Sequence, residues 1–383
     1  MATNEMKKAL LPTHGDANRA LAALLRGLVE KGIVDAVMAP ARQPSGGVAQ
    51  AVFADPAEMD AILPWAPVMP VQAARLASRL SFGDTGARVA VVLRPCEARA
   101  TVELIKLKQI RPEKLLFVTL DCPGTMELAA FAKAGLDAAG EAARMLGEAE
   151  TGAASGAKDA PLRLACTVCE NPAAAWGQLR VHAFGAKAAE ALGIEAEAEL
   201  AGALEAAGLM KFDGGAVPAR EAVVSKLTAE RVKARDALFA SFGSEAEGLP
   251  GLKKAFSTCI RCLNCMENCP ICYCKLCIFK SPTFDHPSEN YARWAKRKGV
   301  QKMPSETMLF HLTRLNHMAS SCIGCGVCDT ACPMGLPVAT LFRKVASGVQ
   351  AMLEYTPGRS TEDPIPLTVF REDELKNETG SGD

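Results

Sequence analysis

The run CIRCLNCMENCP occupies residues 259–270, and CIGCGVCDTACP occupies residues 322–333. Both read C-x2-C-x2-C-x3-C-P, so one cysteine pattern occurs twice. Three thiols at that spacing sit in tight turns and cap three irons of one [4Fe–4S] cubane, while the fourth points away and ligates the second cluster. The proline after it stops the segment from continuing a ladder of backbone bonds. The cross-over assigns Cys259, Cys262, Cys265 and Cys332 to cluster A, and Cys322, Cys325, Cys328 and Cys269 to cluster B. Structural zinc sites favour separate C-x2-C pairs around a four-coordinate ion. Three cysteines at x2, x2 spacing are awkward for that geometry, and two complete copies set zinc aside.

The insert between Cys269 and Cys322 contains NYARWAKRKGV and SETMLFHLTRLNHMAS, both of helical character. It predicts a mainly α-helical dicluster [4Fe–4S] domain rather than a compact ferredoxin fold. Cys272, Cys274 and Cys277 follow the first run closely. They either help ligate a fourth cluster or pack as small apolar groups beside cluster B, as buried free cysteines commonly do. His286, His311 and His317 are read as surface or core histidines, not ligands.

The remaining composition bounds the function. Of 383 residues, 49% are apolar and 22% charged, with 43 Lys+Arg against 43 Asp+Glu. A chain of this length makes more than one domain. Zero net charge argues against a nucleic-acid binder. No apolar run reaches the length of a membrane span, and MATNEMKKALLPTHGDANRA lacks the apolar core of a secretory signal. A cytoplasmic location is expected. There, fifteen cysteines point to metal binding or catalysis rather than disulfides.

The first half reads as an α/β domain. Leu21, Leu24, Leu25, Leu28 and Val29 recur at helical spacing between Asp16 and Lys31. Val89–Leu93 and Leu115–Leu120 read as buried strands with a helix between them, a parallel βαβ unit. Cys96 and Cys122 follow those strands, so both thiols are expected at the carboxyl edge of the sheet, where α/β proteins place ligands. Two inert buried cysteines is the plainer reading. Cys166 and Cys169 add a C-x2-C pair in a loop, and four thiolates suit either one zinc or one [4Fe–4S] cluster. A strand is expected over Leu179–Phe184, and an Ala-rich helical stretch over residues 186–208. Gly and Pro near Gly248 mark a boundary, giving domains 1–247 and 248–346 and an extended tail, 347–383. Within the tail, Ile365–Phe370 is apolar and β-prone, and is expected to lie extended against another surface.

LRPCEARATVELIKLKQ, LDCPGT and CTVCENPAAAWGQLRVHAFG resemble the beta-subunit family of coenzyme F420 hydrogenases and dehydrogenases. Its members pair a PC-x-x-x-G/A segment, a later strand-end Cys, and a C-x2-C before a Gly-containing strand. The second half is similar to the heterodisulfide reductase C subunit. The resemblance implies an iron–sulfur flavoprotein that holds FAD, with Cys96, Cys122, Cys166 and Cys169 binding the flavin-proximal cluster. It implies an oxidoreductase subunit of an anaerobic complex. Electrons would pass between a flavin-linked two-electron carrier and a partner subunit through three [4Fe–4S] clusters, or four if the extra cysteines bind one. The partner would be a dehydrogenase, a hydrogenase or a heterodisulfide-reductase-like subunit. The alternative is a flavin-free, cluster-only relay that docks such a subunit to a bifurcating core.

Overall fold

The structure, a computed structural model, describes residues 5–83, 86–242, 248–300, 303 and 305–369. The chain divides into two compact units. One runs through Asp236 and includes Ile323–Gly326 and Pro357–Asp363; the other holds Ala237–Cys322, Val327–Thr356 and the segment from Pro364. Among the described residues, no helix is long and apolar enough to cross a membrane.

The first unit is built on a seven-stranded mixed sheet. Its strands are β1 (Met6–Pro12), β2 (Ala36–Arg42), β3 (Val48–Phe53), β4 (Val89–Leu93), β5 (Leu115–Leu120), β6 (Leu179–His182) and β7 (Ala191–Glu197). Their order is β1-β7-β6-β5-β4-β2-β3. Strands β2, β4, β5 and β6 pair in parallel, while β1, β3 and β7 join antiparallel. Every residue of β4 and β5 is buried, as expected where apolar runs are covered on both faces. The helices are α1 (Ala17–Glu30), α2 (Ala73–Ser81), α3 (Pro95–Lys106), α4 (Leu128–Ala134), α5 (Ala138–Ala149), α6 (Leu164–Thr167), α7 (Ala198–Ala206) and α8 (Arg220–Ser241). The buried stripe of α1, with Leu21, Leu25 and Leu28 fully enclosed, joins Val37, Val92, Leu116 and Val118 in one core.

The βαβ unit expected from the sequence is present as β4-α3-β5, in parallel register Val89↔Leu115 to Leu93↔Thr119. The Ala-rich stretch 186–208 departs from expectation. Its middle is strand β7, and only Ala198–Ala206 is helical. Local propensity favours a helix there, but pairing with both β1 and β6 prevails, and Leu192, Ile194 and Ala196 are buried.

In the second unit the helices are α9 (Gly248–Ala255), α10 (Asn264–Glu267), α11 (Ser288–Lys298), α12 (Ser305–Met318), α13 (Val327–Thr330) and α14 (Val338–Met352). Both segments of the insert read as helical form α11 and α12. Phe256, Phe310, Met266 and Phe342 are among its buried side chains.

The tail docks earlier than expected. Pro357 accepts hydrogen bonds from Arg99 Nε (3.0 Å) and Nη2 (2.8 Å), and Gly358 N donates to Glu103 Oε1 at 2.8 Å. Residues 365–369 are not extended: Thr368 N bonds back to Ile365 O, and Leu367 and Val369 are exposed. Phe370 lies outside the described residues.

Candidate iron–sulfur centres

Strand ends place the first-half cysteines. Strand β4 finishes at Leu93, and Pro95 opens α3 with its φ already set for a helix, so Cys96 falls in the first turn. Glu97 reaches back to accept from Arg94 N at 2.8 Å and holds Ala73 N at 2.9 Å, fixing that turn. Strand β5 ends at Leu120, and Cys122 N donates to Pro172 O at 2.8 Å. Cys166 sits on the single turn of α6, with Arg163 N bonded to Thr125 O at 2.9 Å and Cys166 N to Arg163 O at 2.8 Å. Cys96, Cys122, Cys166 and Cys169, all half-buried, line one cavity of about 30 Å³.

Cations surround this cavity. Arg94, Arg163 and Arg231 line it, and each is at most 5% exposed. Arg163 donates to Thr125 Oγ1 at 3.3 Å, and Thr125 Oγ1 lies 3.4 Å from Cys166 Sγ. Burial pushes the Cys122 thiol up to about 11 against the pull of Arg94, and raises that of Cys96 well above its usual range. A charged guanidinium is costly to bury without a compensating anion. A thiolate-bound cluster is such an anion, and four thiols beside three buried arginines fit a [4Fe–4S] group by donor chemistry and by sign of charge.

Sequence reading missed these arginines, because a buried Arg carries no pattern of its own. The available signal was adjacency: Arg94 stands two residues before Cys96, and Arg163 three before Cys166.

Both C-x2-C-x2-C-x3-C-P runs take the same local path. Arg261 and Leu263 adopt left-handed φ of 53° and 63°, and the equivalent Gly324 and Gly326 of the second run have 72° and 70°. A short helix follows in each, α10 and α13. Non-glycine residues in this conformation are strained, and such strain clusters at functional sites. Cys259, Cys262, Cys265 and Cys332 lie within electrostatic reach of one another; burial raises Cys259 and takes Cys265 to about 11. Arg314, 3% exposed, donates Nη1 to Cys265 Sγ at 3.0 Å and Nη2 to Cys265 O at 3.1 Å. Cys269 and Cys328 also raise its pKa, so one cation serves cysteines of both runs. It stacks over Phe342 at 4.9 Å and Phe310 at 5.4 Å.

His311 is a core histidine, as read from the sequence. It stacks on Phe256 at 3.7 Å with Nε2 3.4 Å from Cys259 Sγ, and burial lowers its pKa to about 3, so the ring is neutral. His286 pairs with Glu306 at 3.2 Å, and His317 is exposed. Cys272 is raised to about 11 by burial and by Cys269 beside it. Cys277 Sγ lies 3.9 Å from Met266 Sδ, and Cys274 is exposed.

A larger cavity, about 560 Å³, also belongs to the first unit. It is lined by the start of α1 and by Arg19, Arg26 and Arg42. Arg26 pairs with Asp60, and Arg42 Nη2 donates to Asp60 O at 3.0 Å.

Comparison with known proteins follows the same division. Residues 255–336 match the model of the 4Fe-4S dicluster domain. The second half therefore carries a dicluster [4Fe–4S] domain, as its spacing predicts. The chain is 27% identical over 308 residues to the F420-dependent formate dehydrogenase subunit beta of Methanocaldococcus jannaschii, covering 74% of this chain and 77% of that protein. It is 27% identical over 114 residues to the F420-dependent formate dehydrogenase 1 subunit beta of Methanococcus maripaludis, covering 30% and 26%. The resemblance to beta subunits of this kind, expected from the sequence, is borne out by these relatives. A chain of the xenon-derivatised F420-reducing [NiFe] hydrogenase complex from Methanosarcina barkeri aligns with a TM-score of 0.41 and 12% identity, over 64% of this chain and 93% of that one.

Proposed function

We propose that the chain is the electron-transfer subunit of an F420-linked oxidoreductase complex, joining a flavin-linked two-electron carrier to a partner subunit through three [4Fe–4S] clusters. The observation that carries this is the first-half site: four thiols around one cavity at the ends of parallel strands, ringed by buried arginines. When bound, flavin and clusters supply the conversion between two-electron and one-electron chemistry.

The chain's own residues bind, orient and exclude water. Cys96, Cys122, Cys166 and Cys169 hold the first cluster, and Arg94, Arg163 and Arg231 balance its charge. Cys259, Cys262, Cys265 and Cys332 hold cluster A; Cys322, Cys325, Cys328 and Cys269 hold cluster B. The 560 Å³ cavity supports the flavin reading, since it falls in the size range of cofactor sites and its wall carries Arg19, Arg26 and Arg42 beside Asp16 and Asp60. Leu276 is 95% exposed and Ile260 61% in the cysteine-rich segment, which suits a surface covered by another subunit. The relatives' names favour coenzyme F420 as the two-electron carrier.

Anaerobic purification followed by heat or acid extraction tests the flavin. About one FAD per chain is expected. None, after supplementation with FAD, leaves the cluster-only relay.

A further inference from the structure

The chain as a whole is neutral, but residues 248–352 hold 13 Lys+Arg against 5 Asp+Glu. The negative charge of thiolate-held clusters reduces that excess without reversing it. Four of these cations lie on α11, a helix with no buried residue. Arg293, Lys296 and Arg297, at i, i+3 and i+4 spacing, form one exposed stripe. A series of contacts pins this helix beside the cluster A run. Tyr291 and Trp294 pack edge-on to His286, with ring centres 6.1 and 5.1 Å away. His286 and Arg261 share Glu306, at 3.2 and 3.0 Å. Arg261 stands between Ile260 and Cys262, and its Nη2 donates to Phe284 O at 2.7 Å. Phe284 stacks on Phe279 at 5.4 Å, which ties the segment of Leu276 and Ile278 to the same loop. Ile260, Leu276 and Ile278 are all exposed. Every one of these residues lies in Ala237–Cys322 of the second unit. A merely solvated basic face would not carry exposed aliphatic side chains beside it, whereas an apolar centre with a charged rim is the anatomy of an interface.

We propose that this face docks an acidic one-electron carrier protein, which exchanges electrons with cluster A. Charge complementarity selects the occupant. The basic rim fits a partner that is acidic at its edge and apolar at its centre, and it steers such a partner into encounter. The exposed Cys262 selects the chemistry, because a ligand of cluster A opens onto the docking face. A second copy of this chain fits less well, since a two-fold contact would set one basic rim against another. One electron leaves the reduced carrier and enters cluster A. The carrier is oxidised and the cluster reduced, and no bond or proton changes place.

This rests on the electron-transfer reading, so iron and the dicluster signals are measured first on anaerobically reconstituted full-length protein. If those signals are missing, the proposed function fails and the docking face with it. With them present, a pre-reduced acidic [4Fe–4S] ferredoxin is mixed with the oxidised chain, and rapid-freeze electron paramagnetic resonance follows the reduction of cluster A. The second-order rate is expected to fall at least about tenfold between low salt and about 0.3 M salt. Arg293→Glu, Lys296→Glu and Arg297→Glu together should lower the low-salt rate at least about tenfold and remove its salt dependence. Iron content and reduction by a small viologen should not change. Lys7→Glu, Lys31→Glu and Lys133→Glu, at exposed positions of the first unit, make the same change in net charge. They should leave the ferredoxin rate within about twofold of wild type. Leu276→Ser should lower the rate even at high salt, where steering is screened. A wild-type rate in the triple α11 variant, or an equal loss in the first-unit variant, overturns the proposal. So does a viologen rate that falls alongside, because the effect then lies in the cluster and not in docking. A wild-type dimer that the α11 variant dissolves in sedimentation, at an unchanged ferredoxin rate, gives the face to a second copy and also overturns it.

Discussion

Asp121→Asn should destabilise the first unit more than any surface change, although it alters one atom. Asp121 is fully buried immediately before Cys122. Its Oδ1 accepts from Ala174 N and Arg220 Nη2, both at 2.8 Å. Its Oδ2 accepts from Ala183 N at 3.0 Å, and from Phe184 N and Arg220 Nε at 3.2 Å. Its carbonyl accepts the Trp65 indole N–H at 2.8 Å. One carboxylate thus gathers the end of β5, the loop after Cys169, the end of β6 and the start of α8. Whichever way an asparagine amide is turned, its NH2 faces two or three donors. Arg220, partly exposed, also loses its counter-charge. Breaking a buried pair from one side costs about 3–5 kcal/mol. At roughly 2–4 °C per kcal/mol for a unit of this size, the melting temperature should fall by roughly 6–20 °C. Urea unfolding of wild type, Asp121→Asn, Arg220→Met and the double variant measures the loss and the coupling. Because Cys122 moves with Asp121, the single variant should also retain less iron at the first-half site. A loss below about 1 kcal/mol, within the range of ordinary surface changes, would refute the carboxylate's organising role.

Arg314→Met removes a buried cation from the second unit. Apo protein should be unchanged or slightly more stable, while the loaded protein loses roughly 1.5–3 kcal/mol of charge-assisted bonding, read as faster bleaching by an iron chelator. His182 is buried, and burial with Arg220, Arg180 and Lys8 takes its pKa down to about 3 from 6.5. The unfolded chain therefore binds a proton that the folded chain refuses, and stability present above pH 6.5 is lost as pH falls towards 3. His182→Phe should flatten this acid limb by up to ~1.4 kcal/mol per pH unit, measured by urea titrations at stepped pH. Gly358 has φ +74°, and an added Cβ would lie 2.4 Å from Arg99 Cβ. Gly358→Ala should therefore cost at least about 1–2 kcal/mol and loosen the Pro357 contact, seen as faster amide exchange in α3.

What was legible in the sequence follows from how local each signal is. Val89–Leu93 and Leu115–Leu120 are continuous apolar runs bounded by turns, and both appear as strands over those same residues. Strand β1, MKKALLP, gave no such signal, because an edge strand exposes Lys7, Lys8 and Leu10. Strand β7 was hidden in an alanine-rich stretch whose propensity is helical and whose strand state depends on pairing with β1, distant in sequence, as well as with neighbouring β6. The cysteines were legible because their spacing is itself the chemistry. The cations were not, since Arg163 meets the Cys325 carbonyl and Arg314 the Cys265 thiol only after folding brings them together.

The most direct measurement is iron and acid-labile sulfide per chain in anaerobically reconstituted wild type and in the Cys96→Ser and Cys169→Ser variants. About twelve of each are expected in wild type, from three [4Fe–4S] clusters, falling to about eight in both variants with the dicluster signals intact. About eight in wild type, or variants that lose different signals, would contradict a single cluster held by Cys96, Cys122, Cys166 and Cys169.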